Sequence, residues 1–319
     1  MNIAMLEPLD VPPEFLDALA APLTQAGHAF WACHAPLTMA EKLSRAKAAD
    51  ALLIANSPLG AELLSQAPQL RFISVAFTGT DHLDLSYCRA HGIQVSNCAG
   101  YSTPDVAEIT LMMMVSLLRS ARQAEDRLRA GGTKAGLRAG RLAGRTVGIV
   151  GLGAIGLRVA ELCRAYGCTV LAHSRRESAA GHALGVRYLP LSEVLRQSDI
   201  LTLHTPLNEQ TRHLIGRDQL ALMKKSALLV NCARGPVVDM AALAEALNAG
   251  NLAGAAIDVY ETEPPIPMNH PLLSASNALL TPHIAFYTAE SMKDRAIMAI
   301  ENLTGWLAGR APRQVTLKA

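Results

Sequence analysis

The feature that most constrains the fold is a glycine motif between a strand-like and a helix-like segment. Residues 147–150 are β-formers, the glycines follow with the spacing G-x-G-x-x-G, and a helical pattern covers residues 157–166. A dinucleotide-binding βαβ unit requires this order of strand, tight turn and helix. The residues of the turn are Gly151, Gly153, Ala154, Ile155 and Gly156. The sequence therefore predicts that this turn and the helix N-terminus bind the pyrophosphate of a dinucleotide.

Length and composition indicate a globular protein with two domains. The chain has 319 residues, of which 50% are hydrophobic, and a formal net charge of +2 without a long basic run, so a nucleic acid partner is not expected. No apolar run is long enough for a membrane span, and residues 1–10 lack the pattern of a signal peptide. The six cysteines have no zinc-like spacing, so we expect free, mostly buried thiols, a cytoplasmic location and no metal.

Short apolar strands alternate with helical segments, which predicts parallel sheets covered on both faces. Strand patterns in the first part cover residues 2–6, 51–54, 72–75 and 93–95. Those in the second part cover residues 146–150, 169–173, 200–204, 227–231, 254–259 and 278–281. The expected fold is α/β with two doubly wound domains and a cleft between them. A Rossmann domain of residues 100–287 is inserted in a flavodoxin-like domain of residues 1–99 and 288–319.

The end of the second Rossmann strand bears on which dinucleotide is bound. In NAD sites of this fold, an acid about 20 residues beyond the glycine turn binds the ribose hydroxyls. Here the strand is followed by Ser174, Arg175 and Arg176, without Asp or Glu at its tip. Arginine pairs with a 2′-phosphate, although two arginines are also common on a solvated surface. NADP(H) is therefore favoured, and NAD(H) stays possible.

Three residues with the chemistry of an active site follow successive strands of the Rossmann domain. Arg234, Glu263 and His283 each come after the end of a predicted strand, where ligands bind in open α/β sheets. With these motifs and those of residues 79–84 and 96–108, the sequence resembles the D-isomer-specific 2-hydroxyacid dehydrogenase family over nearly the whole chain. The resemblance implies that residues 1–99 and 288–319 form the substrate domain.

The resemblance also implies a role for each of the three residues. Hydride delivery to a 2-oxo acid produces a developing alkoxide, and His283 is expected to donate the proton it needs and to take it back in the reverse direction. Glu263 is expected to bind the other ring nitrogen, fix its tautomer and favour the charged imidazole. Arg234 is expected to bind the substrate carboxylate.

Further contacts are implied in the same way. The backbone N–H groups of Phe77, Thr78 and Gly79 are expected to bind the substrate carboxylate, although these residues also suit an ordinary turn after a strand. The remaining expected cofactor contacts are Thr103, Thr205, Thr211, Cys232 and Asp258. Cys232 is expected to contribute its backbone, and Asp258 either faces the nicotinamide amide or caps its strand. Family members usually form homodimers through the cofactor domain, and the apolar helical segment 105–120 fits this role.

At several positions the residues of this chain differ from those of particular branches of the family, and these differences narrow the range of expected substrates. The formate-oxidising branch has glutamine where this chain has Glu263, and residues 55–58 lack the arginine with which phosphoglycerate dehydrogenases bind a phosphate. Phe286 and Tyr287 after the histidine resemble D-lactate dehydrogenases. We expect NAD(P)H-dependent reduction of a small unphosphorylated 2-oxo acid, with glyoxylate or hydroxypyruvate favoured. The alternatives are an NAD-dependent D-lactate-type dehydrogenase and a non-catalytic, cofactor-sensing protein similar to corepressors.

Overall fold

The contacts of the chain divide it into two compact units. The computed structural model describes residues 1–137, 139–263, 265–310 and 313–315. Unit 1 comprises Met1–Ser102 and Tyr287–Ala319, and unit 2 comprises Thr103–Phe286. The sequence-based boundaries, 99/100 and 287/288, lie close to these, and residues 311–312 and 316–319 of the expected first domain lie outside the described residues. The assignment of unit 1 as the substrate domain stays a prediction.

Unit 1 contains a parallel sheet with the flavodoxin-like order β2-β1-β3-β4-β5. Its strands are β1 (Asn2–Met5), β2 (Ala29–Trp31), β3 (Ala51–Ile54), β4 (Phe72–Val75) and β5 (Gln94–Asn97). Its first helices are α1 (Pro13–Gln25), α2 (Met39–Ala48), α3 (Ala61–Leu64) and α4 (Leu85–Ala90). Strands β3 and β4 are buried along their whole length, because helices cover both faces of a parallel sheet, and this explains their continuous apolar sequences.

Unit 2 contains a second parallel sheet, with the order β12-β11-β10-β9-β6-β7-β8. Its strands are β6 (Thr146–Val150), β7 (Thr169–His173), β8 (Arg187–Tyr188), β9 (Ile200–Leu203), β10 (Leu228–Asn231), β11 (Gly254–Ile257) and β12 (Ala278–Leu280). Its helices are α5 (Thr103–Arg119), α6 (Ala121–Arg129), α7 (Ala154–Ala165), α8 (Ala179–Ala183), α9 (Leu191–Gln197), α10 (Arg217–Leu222) and α11 (Met240–Asn248). The order reverses between β6 and β9, as in dinucleotide-binding sheets. The predicted fold class, α/β with two doubly wound domains, is confirmed.

The last helix, α12 (Ala289–Leu307), belongs to unit 1. Its first turn is fixed by a capping box between Thr288 and Ser291. The Ser74 hydroxyl on β4 donates to the Ala299 carbonyl at 3.0 Å, and the ring of Trp306 stacks on Phe72 with 4.9 Å between ring centres. Unit 1 is therefore built from both ends of the chain. Among the described residues, no helix has the length and apolar character needed to cross a membrane.

Candidate active site

The glycine turn after β6 has the geometry that a dinucleotide requires. Gly151 has a φ of 91°, and a Cβ there would lie 2.5 Å from the carbonyl oxygen of His204. A Cβ on Gly156 would overlap the carbonyl oxygen of Gly151, so helix α7 can approach its strand only with glycine at this position. A Cβ on Gly153, by contrast, would meet nothing within 4 Å. The backbone at the N-terminus of α7 therefore borders open space, which fits the approach of a pyrophosphate.

The tip of β7 carries two exposed cations. Ser174 is partly buried, whereas Arg175 and Arg176 are exposed. In the part of the chain that the structure describes, neither arginine forms an ion pair. Their guanidinium groups are thus available to an anionic group of a ligand. Whether this group is the 2′-phosphate of NADP(H) stays a prediction.

The three predicted catalytic residues follow three neighbouring strands. Arg234 comes after β10, Glu263 after β11 and His283 after β12, and these strands are adjacent in the sheet. The carboxyl ends of parallel strands lie at one edge of a sheet. The loops that carry the three side chains therefore meet at one edge of unit 2.

Glu263 and His283 form a hydrogen-bonded pair. Oε2 of Glu263 lies 2.7 Å from Nδ1 of His283, whose side chain is 11% exposed while that of Glu263 is 57% exposed. Because a carboxylate only accepts hydrogen bonds, Nδ1 carries a proton. This fixes the tautomer and leaves Nε2 as the ring nitrogen that can exchange a proton with a ligand. The ring also packs edge-on against Phe286, with 5.1 Å between ring centres.

Asp258 holds the loop that carries His283. Its Oδ1 accepts hydrogen bonds from the Thr281 hydroxyl at 2.6 Å and from the Ile284 N–H at 2.9 Å, and its Oδ2 accepts one from the Ala285 N–H at 2.8 Å. Burial raises the pKa of the Asp258 carboxyl above its ordinary value, against the opposing effect of these hydrogen bonds. His283 has a φ of 57°, in the left-handed region that a residue with a Cβ rarely adopts. We conclude that these bonds hold a strained backbone in place.

The Arg234 loop is tied to the two loops beside it. Nδ2 of the buried Asn231 donates to the Arg234 carbonyl at 2.9 Å. A Cβ on Gly235 would overlap the backbone of Tyr260, so glycine permits the contact between the loops after β10 and β11. The Tyr260 hydroxyl in turn donates to the Thr281 carbonyl at 3.0 Å. The three loops therefore form one connected structure.

The three threonines expected to contact the cofactor lie at different places in unit 2. Thr103 is the first residue of α5, Thr205 follows β9 and Thr211 lies in the loop beyond it. The Thr211 hydroxyl donates to the Pro206 carbonyl at 2.7 Å. This bond stabilises the loop. The expected contacts of all three with a cofactor stay predictions.

All six cysteines are buried free thiols, as the sequence predicted. Sγ of Cys232 faces Sδ of Met113 at 3.5 Å, and burial raises the pKa of the thiol to about 12. A thiol with such a pKa is a poor nucleophile. Only the backbone of Cys232 is therefore suited to contact a ligand. Both carboxylate oxygens of Asp258 accept hydrogen bonds from the His283 loop. The expected contact of Asp258 with a nicotinamide stays a prediction.

In unit 1, the loop after β4 presents backbone N–H groups. The Phe77 carbonyl accepts a hydrogen bond from the Cys98 N–H at 3.0 Å, and the Thr78 carbonyl accepts one from Asn97 Nδ2 at 2.7 Å. The carbonyl and N–H of a trans peptide point in opposite directions. The N–H groups of Thr78 and Gly79 therefore point away from residues 97–98, an arrangement suited to binding a carboxylate.

Comparison with known proteins identifies the family. Residues 111–285 match the family model described as "D-isomer specific 2-hydroxyacid dehydrogenase, NAD binding domain". The chain belongs to this family. The resemblance seen in the sequence is thus confirmed, and so is the expectation of a 2-hydroxyacid oxidoreductase.

Relatives within the 2-hydroxyacid dehydrogenase family have several names. A glyoxylate reductase of Aeropyrum pernix is 41% identical over 292 residues, which are 88% of this chain and 87% of that protein. A crystal structure of a glyoxylate reductase from Paecilomyes thermophila is 28% identical with a TM-score of 0.88, covering 99% of this chain and 98% of that one. A D-lactate dehydrogenase of Aquifex aeolicus, complexed with NAD and lactic acid, is 29% identical with a TM-score of 0.84, covering 97% and 96%. Other relatives are named hydroxypyruvate reductase and D-3-phosphoglycerate dehydrogenase.

Proposed function

We propose that the protein reduces a small, unphosphorylated 2-oxo acid to the 2-hydroxy acid with NAD(P)H, and that glyoxylate or hydroxypyruvate is the favoured substrate. The observation that carries this proposal is the Glu263–His283 pair, 2.7 Å apart, at the sheet edge that also bears the Arg234 loop. The relatives named glyoxylate reductase and hydroxypyruvate reductase support this class of substrate.

His283 is the proton donor in this proposal. When bound, the reduced nicotinamide supplies the hydride. Protonated His283 donates from Nε2 to the alkoxide oxygen that develops on the substrate, and it accepts the proton back in the reverse direction. Glu263 stabilises the charged imidazole through Nδ1, and the Asp258 hydrogen bonds keep the ring in position.

Two groups are proposed to bind the substrate carboxylate. Arg234 has a permanent charge and a planar fork of donors that can bind both carboxylate oxygens. The N–H groups of Thr78 and Gly79, in the loop of unit 1 that includes Phe77, are proposed as further donors. The hydrogen bonds from Cys98 to the Phe77 carbonyl, at 3.0 Å, and from Asn97 to the Thr78 carbonyl, at 2.7 Å, orient these two N–H groups and support this role.

NADP(H) is the favoured cofactor. The exposed guanidinium groups of Arg175 and Arg176, and the Ser174 hydroxyl between them and β7, suit a 2′-phosphate. Residues 174–176 include no carboxylate, and Oε2 of Glu177, which follows them, lies 2.8 Å from Nε2 of His182. NAD(H) is the alternative, since the Aquifex aeolicus enzyme was crystallised with NAD.

A D-lactate-type dehydrogenase is the second candidate. The edge-on contact of Phe286 with the His283 ring places a bulky apolar group beside the proton donor, which would favour a substrate with a methyl group. The similarity to the Aquifex aeolicus D-lactate dehydrogenase also supports it. A cofactor-sensing binding protein is the third candidate. Turnover of a 2-oxo acid distinguishes it from the two enzymatic candidates.

The experiment measures oxidation of NADPH and of NADH in parallel with glyoxylate, hydroxypyruvate, pyruvate and phosphohydroxypyruvate. We expect the highest kcat/KM with NADPH as the cofactor and glyoxylate or hydroxypyruvate as the substrate. Highest activity with NADH and pyruvate would establish the second candidate. Tight cofactor binding without turnover of any acid would contradict an enzymatic function.

We also propose that the protein is a homodimer that forms through α5 and α6. Helix α6 contains no buried residue, and Leu128 on it is 74% exposed. Met112 and Val115, three residues apart on α5, are also exposed. A second copy would cover these apolar side chains. Light scattering should give about twice the mass of the chain, 33.9 kDa, and Leu128→Asp should weaken association.

A further inference from the structure

Helix α7 ends in a Schellman motif that brings two cysteines together. The helix ends at Ala165, and Gly167 follows with a φ of 78°. The Gly167 N–H donates to the Arg164 carbonyl at 2.9 Å, and the Cys168 N–H donates to the Cys163 carbonyl at 3.0 Å. These are the two hydrogen bonds of the motif, which often brings the side chains of its first and last residues into contact. In this chain those two residues are Cys163 and Cys168.

The two thiols form a chain of hydrogen bonds in the core of unit 2. The Cys163 thiol donates to Sγ of Cys168, and the Cys168 thiol donates to the Leu142 carbonyl at 3.5 Å. Because the backbone hydrogen bond joins the two cysteines, their Cα atoms are at most about 7 Å apart, which is the limit for a disulfide. The pair can therefore be joined without a large movement of the backbone.

The contact makes the two thiols chemically unequal. The hydrogen bond from Cys163 lowers the pKa of the Cys168 thiol from its ordinary value, against the effect of burial, and the charge of Arg164 lowers it further. The same hydrogen bond, together with burial, raises the pKa of Cys163. The thiolate is the form of cysteine that reacts with an oxidant. Cys168 is therefore the residue suited to react first, and Cys163 is suited to attack the product.

The end of α7 gives a small oxidant access to this pair. Cys163 and Cys168 are 0% and 1% exposed, but residues 164–167, which connect them, are all exposed. The ends of helices open locally at a small cost in free energy. Opening of this single turn would uncover both sulfurs while the strands of unit 2 stay paired.

We propose that Cys163 and Cys168 form a reversible disulfide when the protein meets a peroxide, and that this bond locks the end of α7 to the start of β7. In the first step the O–O bond of hydrogen peroxide breaks, one oxygen is transferred to Sγ of Cys168 as a sulfenic acid, and the other leaves as water. In the second step Sγ of Cys163 displaces the sulfenic oxygen as a second water, and the S–S bond forms. The two thiols thus supply the two electrons and two protons that reduce the peroxide. The reaction is independent of the proposed reduction of an oxo acid.

Peptide mapping of the full chain tests the disulfide directly and needs no variant. The protein is reduced, desalted, treated with hydrogen peroxide, alkylated with iodoacetamide and digested with trypsin without a reductant. Because trypsin cleaves after arginine, the two cysteines fall in different peptides, residues 159–164 and 165–175. We expect these peptides to be joined after peroxide treatment and to separate again in dithiothreitol. Separate peptides with both cysteines alkylated, or with Cys168 oxidised irreversibly, would overturn the proposed disulfide.

Single substitutions test the order of the two steps. In Cys163→Ala, peroxide should leave Cys168 as a sulfenic acid, which dimedone labels. In Cys168→Ala, Cys163 should stay a thiol that iodoacetamide alkylates in the unfolded protein. Labelling of Cys163 by dimedone in Cys168→Ala, without labelling of Cys168 in Cys163→Ala, would overturn this order. If either variant does not fold, the peptide map of the wild type still decides whether the disulfide forms.

Thermal unfolding tests whether the bond locks α7. The matched control is Cys88→Ala, which removes a buried thiol from unit 1. Peroxide should raise the melting temperature of the wild type and of Cys88→Ala by about 5 °C, because the disulfide restricts the unfolded chain. Cys163→Ala and Cys168→Ala should show no such rise. An unchanged melting temperature in a wild type that has formed the disulfide would contradict the locking of α7.

Discussion

The backbone N–H of His283 donates to the carbonyl of Asp258 at 2.8 Å, so the residue that holds the loop also holds the histidine itself. With its three side-chain hydrogen bonds, Asp258 accepts four hydrogen bonds, from four of the five residues 281–285. The imidazole is therefore positioned from two sides, by Glu263 at its ring and by Asp258 at its backbone. Positioning of this kind matters because a displacement of about 1 Å can cost a hundredfold in rate.

Asp258→Asn tests this positioning. An amide can accept at only one of its two atoms, so at least one of the N–H bonds to residues 284 and 285 is lost. We expect kcat to fall about 100-fold while the dissociation constant of the cofactor changes less than about threefold. Stopped-flow binding and steady-state kinetics measure the two quantities. A loss of cofactor affinity equal to the loss in kcat would instead support a direct contact of Asp258 with the nicotinamide.

His283→Ala tests the proton donor. Without the imidazole, turnover should fall by about 10²–10⁴-fold, the usual contribution of a general acid. Cofactor affinity should stay nearly unchanged, because the glycine turn lies after β6 and not after β12. The variant is compared with the wild type by steady-state kinetics and by fluorescence titration with NADPH. An equal loss of turnover and of cofactor affinity would show that His283 has a structural role.

Gly235→Ala tests the contact between the Arg234 loop and Tyr260. The added methyl group would overlap the Tyr260 backbone, which cannot move as a flexible side chain would. We expect kcat/KM to fall at least about 100-fold, and the KM for the oxo acid to rise, because Arg234 is displaced. The matched control is Gly60→Ala, where a Cβ meets nothing within 4 Å. A fully active Gly235→Ala protein would show that the loop tolerates this displacement.

Replacement of Arg175 and Arg176 by alanine tests cofactor preference. Loss of two charge-assisted contacts to a 2′-phosphate should raise the KM for NADPH about 10–100-fold. The KM for NADH should change less than about threefold, since NADH has no phosphate at this position. Steady-state kinetics with each cofactor in parallel measure the two KM values. Equal effects on both would remove the argument for NADP(H).

The pH dependence of stability tests the environment of His204. Burial lowers the pKa of His204 to about 4, below its ordinary value near 6.5, and its Nε2 lies 2.9 Å from the Thr202 hydroxyl. Because the unfolded chain takes up a proton near pH 6.5 and the folded chain does so near pH 4, stability falls as the pH decreases between these values. The contribution is up to about 3 kcal/mol. Urea unfolding of His204→Gln at pH 7 and pH 4 should show a smaller decrease than that of the wild type.

The sheets were largely predictable because their inner strands are uniform apolar runs. Strands β3, β4, β9 and β10 are buried at every residue, so periodicity and length indicate them directly. Strands β2 and β8 were missed. Each lies at the edge of its sheet and has only three or two residues. A segment this short shows no pattern, and only pairing with its neighbour makes it a strand.

In the candidate site, the sequence indicated the residues that have distinctive chemistry but not those that position them. Their positions after the ends of predicted strands indicated Arg234, Glu263 and His283. The roles of Asn231 and Asp258 depend on hydrogen bonds between loops that lie 3 to 27 residues apart in the chain. The left-handed backbone of His283 also has no sequence signal, since such conformations favour glycine. A polar residue at the end of an apolar strand, or directly after it, was the available clue for Asn231 and Asp258.

The return of α12 to unit 1 determines the order in which the chain can acquire its structure. The contact between Ser74 and Ala299 spans 225 residues, so the β4 face that α12 covers stays open during synthesis until the last helix has left the ribosome. Unit 2 is contiguous and can fold as soon as its own strands are made. Truncation before α12 should therefore leave a unit 2 that is folded beside a unit 1 with an exposed apolar face. The docking of α12 on β4 would then be the event that closes the core of unit 1.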